Sequence, residues 1–200
     1  PGWMWDEGDE WYSAQISALS VNDNCIDFII NPSTNGNLIN IETYPYSSYY
    51  TFLNQAYTVN DTVDFEKLKI TRDWKNNRNS FLITGSVMDT SSVDTIIRNV
   101  DEPTDYAGHL FREMLIKKGL NIKKLDKGIY SNSGTEIATH YSKPLPSILK
   151  NLMVESDNLT AELLVKIIGY EYSQIEGNWQ NGLHAMKVFL HDRVSLDTTS

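Results

Sequence analysis

Val154-Glu155-Ser156-Asp157-Asn158-Leu159-Thr160-Ala161-Glu162-Leu163-Leu164 joins two amphipathic segments. Before it, Leu145, Ile148, Leu149, Leu152 and Met153 recur at helical spacing. After it, Leu159, Leu163, Leu164, Ile167 and Ile168 do the same, up to Gly169. Between them stands the polar break Glu155-Ser156-Asp157-Asn158. Ser156 or Asp157, placed just ahead of an apolar run, fits a helix N-cap, because a short side-chain oxygen can accept from the unpaired N–H groups of the first turn. Trp179, Leu183, Met186 and Leu190 mark a third helix. Residues from about 141 to 200 are therefore expected to be helical.

Upstream of about residue 140 the period shortens to two. Residues 1 to about 103 read as β-rich, with strands expected over 14–21 and 25–30, the latter stopped by Asn31-Pro32. Asn35-Gly36 is a hairpin-type turn between Ile29-Ile30 and Leu38-Ile39-Asn40-Ile41. Residues 68–71 and 81–87 make another strand pair, joined by the polar run Asp73-Trp74-Lys75-Asn76-Asn77-Arg78. Residues 57–64 read as a polar loop and 137–140 as one more strand. Tyr44, Tyr46, Tyr49 and Tyr50 suit the half-buried surface of a sheet.

One helix is expected near 105–118. It opens at Thr104-Asp105, carries Leu110, Phe111, Met114 and Leu115, and closes at Lys117-Lys118-Gly119. The fold expected is α+β: an antiparallel β-rich region over 1–140, then a helical segment over 141–200.

The 200 residues carry a net charge of -9, with 40% hydrophobic and 22% charged residues. That composition is ordinary for a globular chain. The acidity argues against nucleic acid or an anionic membrane surface as partner. No apolar run approaches the ~20 residues of a membrane span. Cys25 is the only cysteine, so no intrachain disulfide can form, and its apolar neighbours suit a buried filler. His109, His140, His184 and His191 show no metal-ligand spacing, and no Gly-rich phosphate loop is present. Neither a metal nor a cofactor is expected. The acidic run Asp6-Glu7-Gly8-Asp9-Glu10 reads as a solvated turn.

Ser156-Asp157-Asn158 is a Ser-x-Asn triplet, one of three short motifs found in penicillin-binding proteins and serine β-lactamases. Its flanks sharpen the signal. Ser142-Lys143-Pro144-Leu145-Pro146 precedes it and Gly177-Asn178-Trp179-Gln180-Asn181-Gly182 follows. Further matches are Gly2-Trp3-Met4-Trp5-Asp6, Tyr12-Ser13-Ala14, the stretch Ile16 to Asn24, Phe81-Leu82-Ile83-Thr84-Gly85, Tyr106-Ala107-Gly108 and Lys118-Gly119-Leu120. Together these resemble the D-alanyl-D-alanine carboxypeptidases of peptidase family S13.

The resemblance implies a serine acyl-transfer enzyme of the periplasm or outer cell envelope. Its substrate would be peptidoglycan stem peptides ending in D-Ala-D-Ala, cleaved as carboxypeptidase or endopeptidase, with β-lactams as inhibitors. It also implies that residues 1–140 belong to an inserted domain and 141–200 to a transpeptidase-like domain. The family's nucleophilic Ser-x-x-Lys lies upstream of this region and its Lys-Thr-Gly strand downstream. The chain therefore reads as an internal piece carrying one motif of three, inactive by itself.

Within that scheme Ser156 and Asn158 are the candidate catalytic residues. A hydroxyl both donates and accepts, so Ser156 can pass a proton to the leaving D-alanine amine. Asn158, with one acceptor and two donors, can hold the upstream Lys and the substrate amide together. At spacing i, i+2 in a loop, both can face one cleft while Asp157 points away. Ser147-Ile148-Leu149-Lys150 also matches Ser-x-x-Lys. Its Ser and Lys lie opposite the apolar face of their helix, and Ser147 is ~10–13 Å from Ser156 if most of the stretch is helical, too far for one acyl site. Thr84-Gly85 is preceded by Ile83 rather than Lys. A non-catalytic peptidoglycan-binding or cell-surface module on the same scaffold is the alternative.

Overall fold

The computed structural model of the chain describes residues 7–128 and 134–197. Gly2-Trp3-Met4-Trp5-Asp6, which carries part of the resemblance, lies outside the described residues. The chain divides into two compact units, Pro1–Thr135 and Glu136–Ser200.

The first unit holds strands β1 (Cys25–Asn31), β2 (Asn40–Tyr44), β3 (Thr51–Asn54), β4 (Tyr57–Val59), β5 (Lys69–Arg72), β6 (Ser80–Thr84), β7 (Ser86–Met88) and β8 (Asp94–Asn99), then helix α1 (Pro103–Lys117). They form three small sheets, ordered β2-β1-β8, β3-β6-β5 and β4-β7. The class is α+β. In detail the sheets are mixed: β1 pairs antiparallel with β2 and β8, and β5 with β6, but β3–β6 and β4–β7 are parallel.

The alternation in β1 decides the core. Ile26, Phe28 and Ile30 point inward and are fully buried, meeting Ile70, Phe81, Ile83 and Val100 and, from α1, Tyr106 and Leu110. The Phe28 and Phe81 ring centroids lie 5.0 Å apart. Each such side chain, fully buried, contributes about 1.5–3 kcal/mol. Cys25 is buried at the start of β1. Helix α1 begins on Pro103, whose missing N–H costs nothing there. It ends where Gly119, at φ +89°, lets the Leu120 N–H donate back to Leu115 O at 3.0 Å.

Several local expectations are corrected. Residues 14–21 form no strand. Their polar groups are used one by one instead: Gln15 Nε2 donates to Asp101 Oδ1 at 2.7 Å, and the Ser17 and Thr104 hydroxyls bond at 2.8 Å. Positive φ at Asn22, Asp23 and Asn24 then reverses the chain into β1. Within 57–64, Tyr57–Val59 is strand β4 rather than loop, because β7 supplies it with a parallel partner. Residues 137–140 form no strand; among the described residues no strand pairs with them, and Ile137 is 98% exposed. Tyr50 is buried but Tyr46 is 84% exposed, so the tyrosines do not share one surface.

The acidic run is not merely a solvated turn. Asp9 is buried and its Oδ2 accepts from the Arg72 N–H at 2.9 Å. Arg72 is itself buried, its guanidinium donating to Gly8 O at 3.0 Å and Asn99 Oδ1 at 3.2 Å. Burial pulls that guanidinium below its ordinary value, with Asp101, Asp9 and Asp73 acting the other way. Glu10 pairs with Arg98 at 3.0 Å.

The second unit holds α2 (Leu145–Glu155), α3 (Asn158–Ser173) and α4 (Trp179–Val194). Helix α3 runs four residues past Gly169, where the sequence was expected to end it. Gly169 serves instead as a crossing point: a Cβ there would lie 2.6 Å from Gly182 N. One at Gly182 would lie 2.2 Å from Val165 O, so α3 and α4 approach backbone to backbone. Asn178 caps α4, its side chain accepting from Asn181 N at 2.8 Å.

Candidate functional site

Two residues, Ser156 and Asp157, join α2 to α3. Helix α2 stops because Ser156 turns left-handed, with φ 56° and ψ 45°. Its N–H still reaches Leu152 O, and the Asp157 N–H donates to the same carbonyl at 3.2 Å. An L-residue in this conformation costs roughly 1–2 kcal/mol, so surrounding contacts must hold it there.

Those contacts converge on Asp157. Its backbone is extended, at φ -74° and ψ 100°, and Oδ1 accepts from the Thr160 N–H at 3.0 Å. The other carboxylate oxygen accepts from the Thr160 hydroxyl, a short bond. The Asp157 carbonyl accepts from the Ala161 N–H at 3.1 Å. Of the two capping candidates, Asp157 performs the cap. Ser156 does not, and its side chain is left on the exposed turn. Asn158 is the first residue of α3 and is half-buried.

Thr160 was not singled out by sequence reasoning. The signal was present as Asp157-x-x-Thr160, the spacing that sets an N-cap carboxylate against the third helical residue. Ser147 and Lys150 lie on exposed positions of α2, nine residues and six residues before Ser156. Along a helix nine residues span ~13 Å.

Two hollows lie elsewhere. One, of about 650 Å³, sits on the β3-β6-β5 sheet beside Leu53, Thr71, Trp74 and Leu82. Another, of about 660 Å³, lies between α3 and α4 beside Ile167, Tyr172, Met186 and Phe189. Neither is lined by Ser156 or Asn158. Among the described residues no group of three or more His, Cys, Asp or Glu could hold a metal ion. No helix among them is long and apolar enough to cross a membrane.

Residues 1–200 match the D-Ala-D-Ala carboxypeptidase 3 (S13) family. A D-alanyl-D-alanine carboxypeptidase of Actinomadura sp. (strain R39) is 32% identical over 191 residues, covering 90% of this chain and 35% of that protein. The D-alanyl-D-alanine carboxypeptidase DacB of Haemophilus influenzae is 22% identical over 192 residues, covering 94% of this chain and 39% of that protein. The crystal structure of penicillin binding protein 4 (dacB) from Haemophilus influenzae superposes with a TM-score of 0.71 at 21% identity. It covers 100% of this chain and 44% of that one. The same Haemophilus protein complexed with a novel β-lactam matches at a TM-score of 0.69 over 92% of this chain. The chain thus spans between about a third and a half of the length of these relatives.

Proposed function

Because the chain belongs to the D-Ala-D-Ala carboxypeptidase 3 (S13) family, we propose that it is a segment of a serine D-alanyl-D-alanine carboxypeptidase or endopeptidase. Its substrate is a peptidoglycan stem peptide ending in D-Ala-D-Ala, cleaved through an acyl-enzyme. On this reading residues 1–140 are an inserted domain and residues 141–200 a helical segment of the transpeptidase-like domain. The enzyme works outside the cytoplasm, where peptidoglycan is, and β-lactams acylate it. The Haemophilus relative's complex with a β-lactam supports that last point.

The observation that carries the reading is the division of labour at the α2–α3 junction. Asp157 caps α3 through Oδ1, and its other carboxylate oxygen takes the Thr160 hydroxyl. Ser156 ends α2 through its backbone, in a left-handed conformation that glycine would adopt at less cost, and its hydroxyl takes no part in the α3 cap. Gln174 and Ser195 end α3 and α4 in the same left-handed conformation, so the turn is an ordinary helix stop, and what supports a chemical role for the Ser156 hydroxyl is its place in the Ser-x-Asn triplet of a chain of this family.

In the proposed reaction the nucleophilic serine and the third-motif lysine come from parts of the protein beyond this chain. The Ser156 hydroxyl accepts a proton from one side and donates one to the departing D-alanine amine. The Asn158 amide accepts from a lysine ammonium through its oxygen and donates to the substrate carbonyl through its nitrogen.

The test uses the full-length protein and fluorescent penicillin acylation together with D-alanine release. Ser156→Ala is expected to lower turnover on the order of 10²–10⁴-fold, the usual scale for a general acid–base group. Asn158→Ala is expected to slow acylation as well. Normal turnover in both variants would exclude the roles given to Ser156 and Asn158, whereas a natural full-length protein that neither releases D-alanine nor takes the penicillin label would favour a non-catalytic peptidoglycan-binding module.

A further inference from the structure

The geometry points to Thr160 as a positioning residue for Ser156, acting through the Asp157 carboxylate. This inference rests on the proposed role of Ser156 and adds to it a residue outside the Ser-x-Asn triplet.

The junction is short, and Asp157 is held at both its backbone N–H and its carbonyl. The Asp157 N–H is tied to the C-terminus of α2 at Leu152 O, 3.2 Å away. The Asp157 carbonyl is tied to the first turn of α3 at the Ala161 N–H, 3.1 Å away. Its carboxylate is tied twice to one residue, Thr160, by the backbone N–H at 3.0 Å and by the hydroxyl. A single N–H would leave the carboxylate free to swing about that bond. The second bond, from a hydroxyl on the same residue, removes the swing. Charge-assisted bonds of this kind are the stronger ones.

Ser156 precedes this clamp directly and is held left-handed, at φ 56°. A non-glycine residue relaxes from that conformation when its neighbours permit. A fixed Asp157 does not permit it: rotation about Ser156 would drag the Asp157 N–H off Leu152 O. Thr160 therefore holds the Ser156 backbone, and with it the Cβ that carries the hydroxyl, by denying that backbone an alternative. On this reading it acts through the Asp157 carboxylate rather than on the substrate. Thr160 is half-buried at the third position of a 16-residue helix.

The test uses the full-length protein with Thr160→Val, Thr160→Ala, Thr160→Ser and the control Ser156→Ala. The substrate is a diacylated Lys-D-Ala-D-Ala tripeptide. Loss of the hydroxyl should lower kcat roughly tenfold, within the range that small misplacements of reacting groups cost. KM should stay within about twofold, because no substrate contact is removed. Thr160→Ser should restore kcat, since it returns the hydroxyl without the methyl group. Thr160→Ala guards against the case in which a valine methyl pressed against the carboxylate disrupts folding.

If Thr160→Ala keeps full kcat while Ser156→Ala is impaired, the positioning role is overturned and the function stands. A lowered melting temperature with unchanged kcat overturns it too, since the clamp would then be structural only. If Ser156→Ala itself has full kcat, the function reading fails first.

Discussion

Replacing Ser156 by glycine and by alanine separates the backbone of this residue from its hydroxyl. At φ 56° and ψ 45° a serine carries roughly 1–2 kcal/mol of conformational cost that glycine does not. Glycine gives part of that back, because its unfolded chain has more freedom to lose. Ser156→Gly should therefore stabilise the full-length protein by up to about 1 kcal/mol. In a domain of this size that is a rise in Tm of about 2–4 °C. Ser156→Ala keeps the Cβ and the strain, and should stay within ~0.5 kcal/mol of the natural protein. Both variants lose the hydroxyl, so both should lose turnover on the order of 10²–10⁴-fold. The assays are urea denaturation and D-alanine release on the same preparations. A Ser156→Gly protein that keeps its turnover would show that the hydroxyl takes no part in the chemistry. One that loses stability together with turnover would show that the hydroxyl anchors the junction, and that the strain argument is mistaken.

Gly182→Ala tests the α3–α4 crossing. The new Cβ would lie 2.2 Å from Val165 O and 2.6 Å from Val165 Cγ1. The helix-propensity gain of about 1 kcal/mol is outweighed, because a backbone carbonyl cannot rotate aside and overpacking costs about 1–3 kcal/mol or more. A lower urea midpoint is expected, with Gly128→Ala, which meets nothing within 4 Å, near neutral. Glu113 tests the acid limb of stability. Burial pushes its carboxyl up, but hydrogen bonds from the Ser48 hydroxyl and N–H outweigh that and hold it below its ordinary value. A depressed folded-state value means stability present above the usual glutamate range of about 4.3 and lost as pH falls through the folded value. Glu113→Gln should thus be less stable than the natural chain at pH 7 and match it at strongly acid pH, as read by denaturation at a series of pH values. The 200-residue chain alone should take no label from a fluorescent penicillin, and an adduct at Ser147 would show that its Ser-x-x-Lys match is a nucleophile after all.

Where local spacing decides structure, the sequence was legible. The apolar run from Cys25 to Ile30, stopped by Asn31-Pro32, marked β1, and the apolar stripes marked α1 to α4 within a few residues. Spacing failed where a distant partner decided the outcome. Tyr57–Val59 looked like loop until β7 came alongside it, and residues 14–21 looked like strand although no neighbour among the described residues offers them a ladder. Asp9 looked solvated because its partner, the Arg72 N–H, lies 63 residues away.

At the candidate site the sequence by itself determined the chemistry on offer: a hydroxyl, a carboxylate and an amide in succession between two amphipathic helices. It could not decide which of Ser156 and Asp157 caps α3, because both residue types accept from a first-turn N–H equally well. The tertiary structure decided it. A carboxylate has two oxygens and can meet the Thr160 N–H and hydroxyl together, whereas the left-handed turn at Ser156 ends α2 and leaves that hydroxyl uncommitted to the cap. Such a conformation is a backbone property fixed by how two helices meet, and no residue type other than glycine announces it in advance.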